Sequence, residues 1–480
     1  MKTAALTLVL AIKLTAQSQG SFGPAGNLTT VRTGHTATLL TNGKVLIAGG
    51  YATLAGWPVW SSAELYDLVA GAFTPTGSMD SPRSSHTATL LPDGRVLIAG
   101  GMTVVEAPNG DYPPPLSSAE LYDPSTGAFS ATGSMEIGRS GHAATLLNNG
   151  KVLITGGSGD ASAELYDPSS GTFSAAGNMA AVRDPSLAVL LPNGKVLIEG
   201  GGNGCFALPQ PELYDPVTGA FTLTGPSTNP DLYPMTATLL LDGTVLTTMN
   251  VPCDVGNGAE IYNPATGAFT AANSLPGASE GFLAKLLPNG QVFLHGELLE
   301  AGLYKAGGSF LLYDPPTGAY STATGSFPQS DQYGTSTLLS NGAVLMAGGW
   351  ICCGFSVADA EIYMPAVLTP SPVLYSLPGG TQGAIWHAAT GQIASPDNPA
   401  TAGDVLSMYT TSLFEGGLIP PQISVNGQLA DVIFFGDAPG YPGYFQVNFR
   451  VPSDVAPGPA VPLRLMYLNR SSNAVTIAVQ

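Results

Sequence analysis

Charge is what this chain has least of: Asp, Glu, Lys and Arg make up 10% of its 480 residues, against roughly 25% in an average soluble protein. Cations are scarcer still, 15 Lys and Arg against 33 Asp and Glu, for a formal net charge of −18. Most of such a surface repels a polyanion, so nucleic acid is excluded as a partner class and an anionic membrane surface is disfavoured. No internal apolar run reaches the ~18 residues that a spanning helix requires, so no membrane span is expected. There is no Gly-x-Ser-x-Gly elbow and no phosphate-cradling Gly-x-x-x-x-Gly-Lys loop, which removes two common catalytic frameworks. Only four cysteines occur, none in a Cys-x-x-Cys spacing, so a structural zinc site has no support.

What is abundant is apolar side chains (44%), with 61 Gly and 40 Pro. That combination points to many short strands joined by tight turns, because disordered chains lack the apolar content. The opening stretch has Lys2, an apolar run from Ala4 to Ile12 and a small residue at Ala16. It reads as a signal peptide over residues 1–16, which predicts a secreted, extracellular or cell-envelope protein.

One pattern recurs seven times. Its first copy runs His35-Thr36-Ala37-Thr38-Leu39-Leu40, a two-residue turn, Val45-Leu46-Ile47-Ala48-Gly49-Gly50, a variable loop, Ala63-Glu64-Leu65-Tyr66-Asp67, and Gly71-Ala72-Phe73. The valine returns at 96, 152, 196, 245, 292 and 344, and the tyrosine at 122, 166, 214, 262, 313 and 363. The period is that of a propeller blade. Each segment is short, β-branched or aromatic, and bounded by turn residues, hence a strand. All seven first turns are Asn-Gly or Asp-Gly, from Asn42-Gly43 to Asn341-Gly342; these pairs tolerate the positive φ of a type I′ hairpin. Four strands per unit, repeated seven times, predict an all-β, seven-bladed propeller over residues 21–366. The last copy stops at Tyr363-Met364, while Ser21-Phe22-Gly23-Pro24-Ala25-Gly26-Asn27 matches Ala72-Phe73-Thr74-Pro75-Thr76-Gly77-Ser78. Residues 21–27 are therefore expected to supply the outer strand of blade seven.

The double glycine after the second strand and the later aromatic resemble kelch repeats. Met249-Asn250 and Gly296-Glu297 stand where two of the glycine pairs belong. From about Pro370 the repeat ends, and residues 370–480 alternate apolar and polar, as in Val405-Leu406-Ser407-Met408-Tyr409. That alternation predicts an immunoglobulin-like β-sandwich. Ile423-Ser424-Val425-Asn426-Gly427-Gln428, Asp437-Ala438-Pro439-Gly440, Val451-Pro452 and the ending Val475-Thr476-Ile477-Ala478-Val479 are similar to the Solibacter-type C-terminal domain. That resemblance implies export and no particular activity.

Function in a propeller usually resides in its variable loops. Those after the second strands carry Tyr51, Trp57, Trp60, Tyr112 and Trp350, so that three of the four tryptophans fall on blades seven and one. Such aromatics either stack on sugar rings and anchor peptides, or pack down over the ring. Arg32, Arg83, Arg139 and Arg183 share one position ahead of strand one. Two readings stand: a gathering at the axial opening for an anionic ligand, or four buried bridges between blades. His35, His86 and His142 also share a position, later filled by Ser186, Met235, Phe282 and Gly334. A residue so interchangeable fits packing or hydrogen bonding, and no metal is assigned. Cys205, Cys253, Cys352 and Cys353 all follow second strands; in an exported chain disulfides between Cys205 and Cys253 and between Cys352 and Cys353 are candidates.

A propeller followed by a sandwich also resembles galactose oxidase and its relatives, secreted copper-radical enzymes. The resemblance implies a Tyr-His pair on the first strand of the last blade, where this chain has Tyr333-Gly334. It also implies an inner-strand cysteine and a histidine from the C-terminal domain, where His387 stands alone. Of these, Tyr333 is the match. Glu280, Glu297 and Glu300 in blade six leave a paired-carboxylate hydrolase or a solvated loop open. The reading that best fits is a secreted, non-catalytic binding protein with no cofactor, its loop face recognising a carbohydrate or an extracellular protein. The alternatives are a galactose oxidase-like copper oxidoreductase or other carbohydrate-active enzyme, and a structural cell-envelope protein.

Overall fold

The computed structural model describes residues 20–53, 57–104, 113–201, 210–250, 257–276, 278–300, 303–304, 309–323, 334–351, 355–414 and 416–480. Among them there is no helix, so none long and apolar enough to cross a membrane. Residues 1–16, expected as a signal peptide, lie outside the described residues.

Seven antiparallel sheets form the blades of the propeller, each built on four strands, in sequence order in blades one to six. Blade one is Thr36–Leu39, Val45–Ala48, Ala63–Asp67 and Ala72–Pro75, innermost first. Ring closure is made by Ser21–Asn27, which pairs antiparallel with Asp359–Met364 so that Phe22 faces Tyr363. In every blade the repeat tyrosine on strand three meets an aromatic ring on strand four. Tyr66–Phe73, Tyr122–Phe129, Tyr166–Phe173, Tyr214–Phe221 and Tyr262–Phe269 all have centroids 4.8 Å apart. Blade six uses Tyr313–Tyr320 at 5.0 Å and blade seven Tyr363–Phe22 at 5.1 Å. The seventh pair exists because the chain's beginning supplies its ring.

Blades bind one another through apolar clusters, such as Leu40, Leu46, Met79, Val96, Ile98 and Tyr122 between blades one and two. Such burial contributes about 25 cal/mol per Å² of apolar surface removed from water. Polar links are threaded through the same seams: Thr76 Oγ1 meets the Tyr122 hydroxyl at 3.0 Å and Thr132 Oγ1 the Tyr166 hydroxyl at 2.9 Å.

The double glycines follow from how the chain crosses between blades. Gly49 and Gly50 have φ of +65° and +89°, a region that suits glycine. A Cβ on Gly49 would lie 2.4 Å from the Arg83 carbonyl oxygen, and one on Gly50 2.7 Å from that of Thr33. Only glycines let Gly50 N donate to Arg83 O at 2.9 Å. Gly349 to Arg32, Gly101 to Arg139 and Gly157 to Arg183 repeat the bond. Blades five and six lack the pair because their first two strands run on past this notch: Tyr233–Leu239 on Val245–Asn250, and Ala278–Leu286 on Val292–Glu300.

The C-terminal domain is a curled sheet of eight strands around its own core, which includes Leu406, Val447, Phe449, Leu463, Leu465 and Ile477. Its pairing is continuous because Gln428–Asp437, ten residues long, pairs with Gln422–Val425 at one end and Phe445–Arg450 at the other. That long strand links one set of strands, Ile385–His387, Val405–Thr410 and Phe445–Arg450, to a second, Gln422–Val425, Gly458–Tyr467 and Val475–Val479. The domain covers the face of the Asn-Gly and Asp-Gly turns: Leu418 N donates to Leu241 O at 2.8 Å and Ser424 Oγ to Pro92 O at 2.7 Å. The double-glycine loops lie on the opposite face.

Candidate functional site

On that loop face the described aromatics cluster where blades seven and one meet. After Gly50 the chain turns outward, and Tyr51 exchanges backbone bonds of 2.9 Å with Thr33. The Tyr51 and Trp57 rings stack at 5.9 Å and 30°, and Trp57 takes a φ of +44°, an uncommon conformation for a bulky residue. Trp60 Nε1 donates to the Val31 carbonyl at 3.1 Å. Tyr51, Trp57 and Trp60 are all half-buried, so each offers part of a ring to solvent. Thr53 ties this loop to blade seven: its amide donates to Ser356 Oγ at 2.9 Å, and the Ser356 amide donates to Thr53 Oγ1 at 2.6 Å. Ser356 belongs to a small hairpin, Trp350–Ile351 with Phe355–Ser356, on which Phe355 is 60% exposed. Tyr112, Tyr333 and all four cysteines, Cys205, Cys253, Cys352 and Cys353, lie outside the described residues, as do the side chains of Trp350, Glu280, Glu297 and Glu300.

The four arginines are not at an opening. Arg32, Arg83, Arg139 and Arg183 have no exposed surface, and each pairs with a glutamate on strand three of its own blade. The distances are 2.9 Å to Glu64, 2.7 Å to Glu120, 3.1 Å to Glu164 and 2.8 Å to Glu212. Each also donates to the first glycine carbonyl of its blade, from Gly49 to Gly200. With their charge neutralised and no surface to present, they cannot meet an anionic ligand; they lock the interblade crossovers in place.

The three repeat histidines are bolts of the same kind. Their Nε2 atoms meet a threonine hydroxyl of the preceding blade: His35 with Thr335 at 3.1 Å, His86 with Thr36 at 3.0 Å, His142 with Thr87 at 2.9 Å. Burial, then the charge of Arg32, pushes His35 down to about 3; burial and Arg139 do the same to His142. All three are therefore neutral at pH 7.

Glu199 and Lys285 also escaped the sequence reading, because no other blade places a carboxylate or a lysine at the same repeat position. Glu199 stands where blades one and two have Ala48 and Ala99. Burial, reinforced by Glu260 and opposed by a hydrogen bond from Thr247 and the charge of Arg183, raises its pKa to about 8. The folded chain therefore keeps a proton here that the unfolded chain releases near the usual carboxylate value of about 4.3. The stability this supplies is full below that value, falls as pH rises, and is gone above about 8. Glu199→Gln, which fixes the neutral state, is expected to match the parent near pH 4 and to exceed it by pH 8.5. The gap should widen by at most about 1.4 kcal/mol per pH unit; urea midpoints that differ equally at both pH values would contradict it.

No family model matches the chain, and no curated protein does. Among solved structures it is similar to a fungal alcohol oxidase, described as showing catalytic diversity among the AA5 family and solved in complex with copper. The two share 17% identity over 96% of this chain and 99% of that one, with a TM-score of 0.61. The likeness is one of fold.

The residues here do not fit a copper centre of the galactose oxidase kind. The histidine expected after Tyr333 is Gly334, and a Cβ there would lie 2.6 Å from the Gly348 carbonyl oxygen, so that no side chain fits. All five histidines of the chain are among the described residues, and they do not converge. Three are the interblade bolts; His295 is buried in blade six against Phe310, 4.9 Å away; His387 bonds Asn398 O at 3.2 Å within the C-terminal domain. Copper needs several nitrogen and oxygen ligands at one point.

Proposed function

We propose that this protein is a secreted, non-catalytic binding protein whose loop face, at the junction of blades one and seven, recognises a carbohydrate or an extracellular protein. The observation that carries the reading is the aromatic patch of Tyr51, Trp57, Trp60 and Phe355, braced across the seam by Thr53 and Ser356. Rings held rigid and partly exposed bind sugar faces or peptide anchors at low entropic cost. The kelch character of the blades and the Solibacter-type character of the C-terminal domain belong to the same proposal, supported by the glycine pairs and by the motifs from Ile423 to Val479.

Glycan-array screening followed by calorimetry on the best hit tests it. Trp57→Ala and Phe355→Ala should each weaken binding about tenfold or more without lowering the melting temperature. Saturable binding that neither variant changes would place the site elsewhere. The shared fold favours a second reading, an oxidase or other carbohydrate-active enzyme. Copper at one equivalent in the purified protein, with peroxide formed from a primary alcohol, would establish it in place of the first.

A further inference from the structure

The seven innermost strands surround an axial cavity of about 550 Å³, within the size range of small-molecule sites. Equivalent positions build its wall. One ring is alanine in six blades and Ser336 in the seventh; another is leucine in all seven. Ile419, Pro420, Met466 and Leu468 of the C-terminal domain line the end at the hairpin turns.

A single lining residue is charged. Lys285 stands where five other blades place a threonine. Among the described residues no carboxylate lines the cavity, and none bonds the Lys285 ammonium. Lys285 is half-buried in the cavity wall, and desolvation there lowers its pKa. In blade seven beside it, Ser336 and Thr337 belong to the same wall, both 7% exposed. An ammonium with no carboxylate beside it, in a wall of alanine, threonine and leucine, favours a bound anion.

We propose that the axial cavity is a binding site for a small monocarboxylate with an apolar body, its carboxylate on Lys285 and its body against the alanine and leucine rings. The ammonium supplies a charge-assisted bond to the carboxylate. An inorganic oxyanion would satisfy the lysine but leave the apolar rings uncovered. The site is separate from the loop-face patch and does not rest on it.

The test uses the full chain titrated calorimetrically with benzoate, butyrate and inorganic phosphate. Benzoate or butyrate should bind saturably and tighter than phosphate. Lys285→Thr, which restores the residue of the other blades and so should fold, is expected to lose about tenfold or more in affinity. Lysine acetylation read by mass spectrometry locates the site in the parent protein: benzoate should protect Lys285 and leave Lys44, Lys151 and Lys195 unchanged. Phosphate binding tighter than both carboxylates would overturn the ligand class. No saturable binding, unchanged affinity in Lys285→Thr, or an unprotected Lys285 in saturating benzoate would overturn the site.

Discussion

Arg139→Met is expected to destabilise the propeller by about 3–5 kcal/mol, the usual cost of leaving one member of a buried ion pair alone. Glu164, 4% exposed, would keep the Glu136 amide at 2.8 Å and the more distant Ile137 amide, but no cation. The Gly156 and Ser162 carbonyls, which now accept from Arg139 Nη1 at 3.0 Å each, would also lose that donor. Lysine should not rescue the site, because a point charge cannot reach Glu164, two carbonyls and the Ser158 and Ser162 hydroxyls at once. The double variant Arg139→Met with Glu164→Met should recover much of the loss, since burying the pair carries its own desolvation cost. Urea unfolding of the propeller transition decides it. A shift in Arg139→Met of less than 1 kcal/mol would mean that these pairs follow the blade geometry and do not hold it.

How much of this was legible beforehand depends on whether a feature repeats. The hairpins were legible through their glycines, since Gly43, Gly94 and Gly150 have φ of +83°, +92° and +80°. The turn type was not, because Asn42, Asp93 and Asn149 lack the positive φ of a type I′ turn, and Gly43 N donating to Leu40 O at 3.0 Å marks a type I turn with a left-handed glycine after it. The arginine position was visible too, but not its partner. The glutamate of Ala63-Glu64-Leu65-Tyr66 recurs in every arginine-bearing blade, and in blade six, which has no arginine there, Leu311 replaces it. That co-occurrence was the available signal. It is blurred by blade five, where Glu260 persists without an arginine by accepting from Ser227 and Thr228. Lys285 and Glu199 were hidden for the opposite reason. Glu199 falls at a position that varies, with Ala48, Thr155, Thr248 and His295 in other blades, and Lys285 at one where five blades have threonine; only the ring arrangement turns Lys285 toward the axial channel.

Removing residues 1–27 is expected to abolish cooperative folding of the propeller or to drive the chain into aggregates. Blade seven would lose all six of its register pairs with the first strand, from Ser21 with Met364 to Asn27 with Asp359, exposing the edge of Asp359–Met364 to other chains. The Phe22 ring, 4.3 Å from Phe310 and 5.1 Å from Tyr363, would vanish together with the buried Ala25. Losing one such aromatic costs about 3–5 kcal/mol, while a whole domain has only about 5–15 kcal/mol to lose. Phe22→Ala is the graded form of the experiment: it keeps the strand and should lower stability by about 3 kcal/mol. The truncated chain remaining monomeric at an unchanged melting temperature would refute the latch. Because the first strand meets residues 359–364, nearly the whole ring must be in place before this contact can form. Such non-local pairings form slowly, after loop-closure entropy has been overcome, so Phe22→Ala should speed unfolding far more than it slows folding.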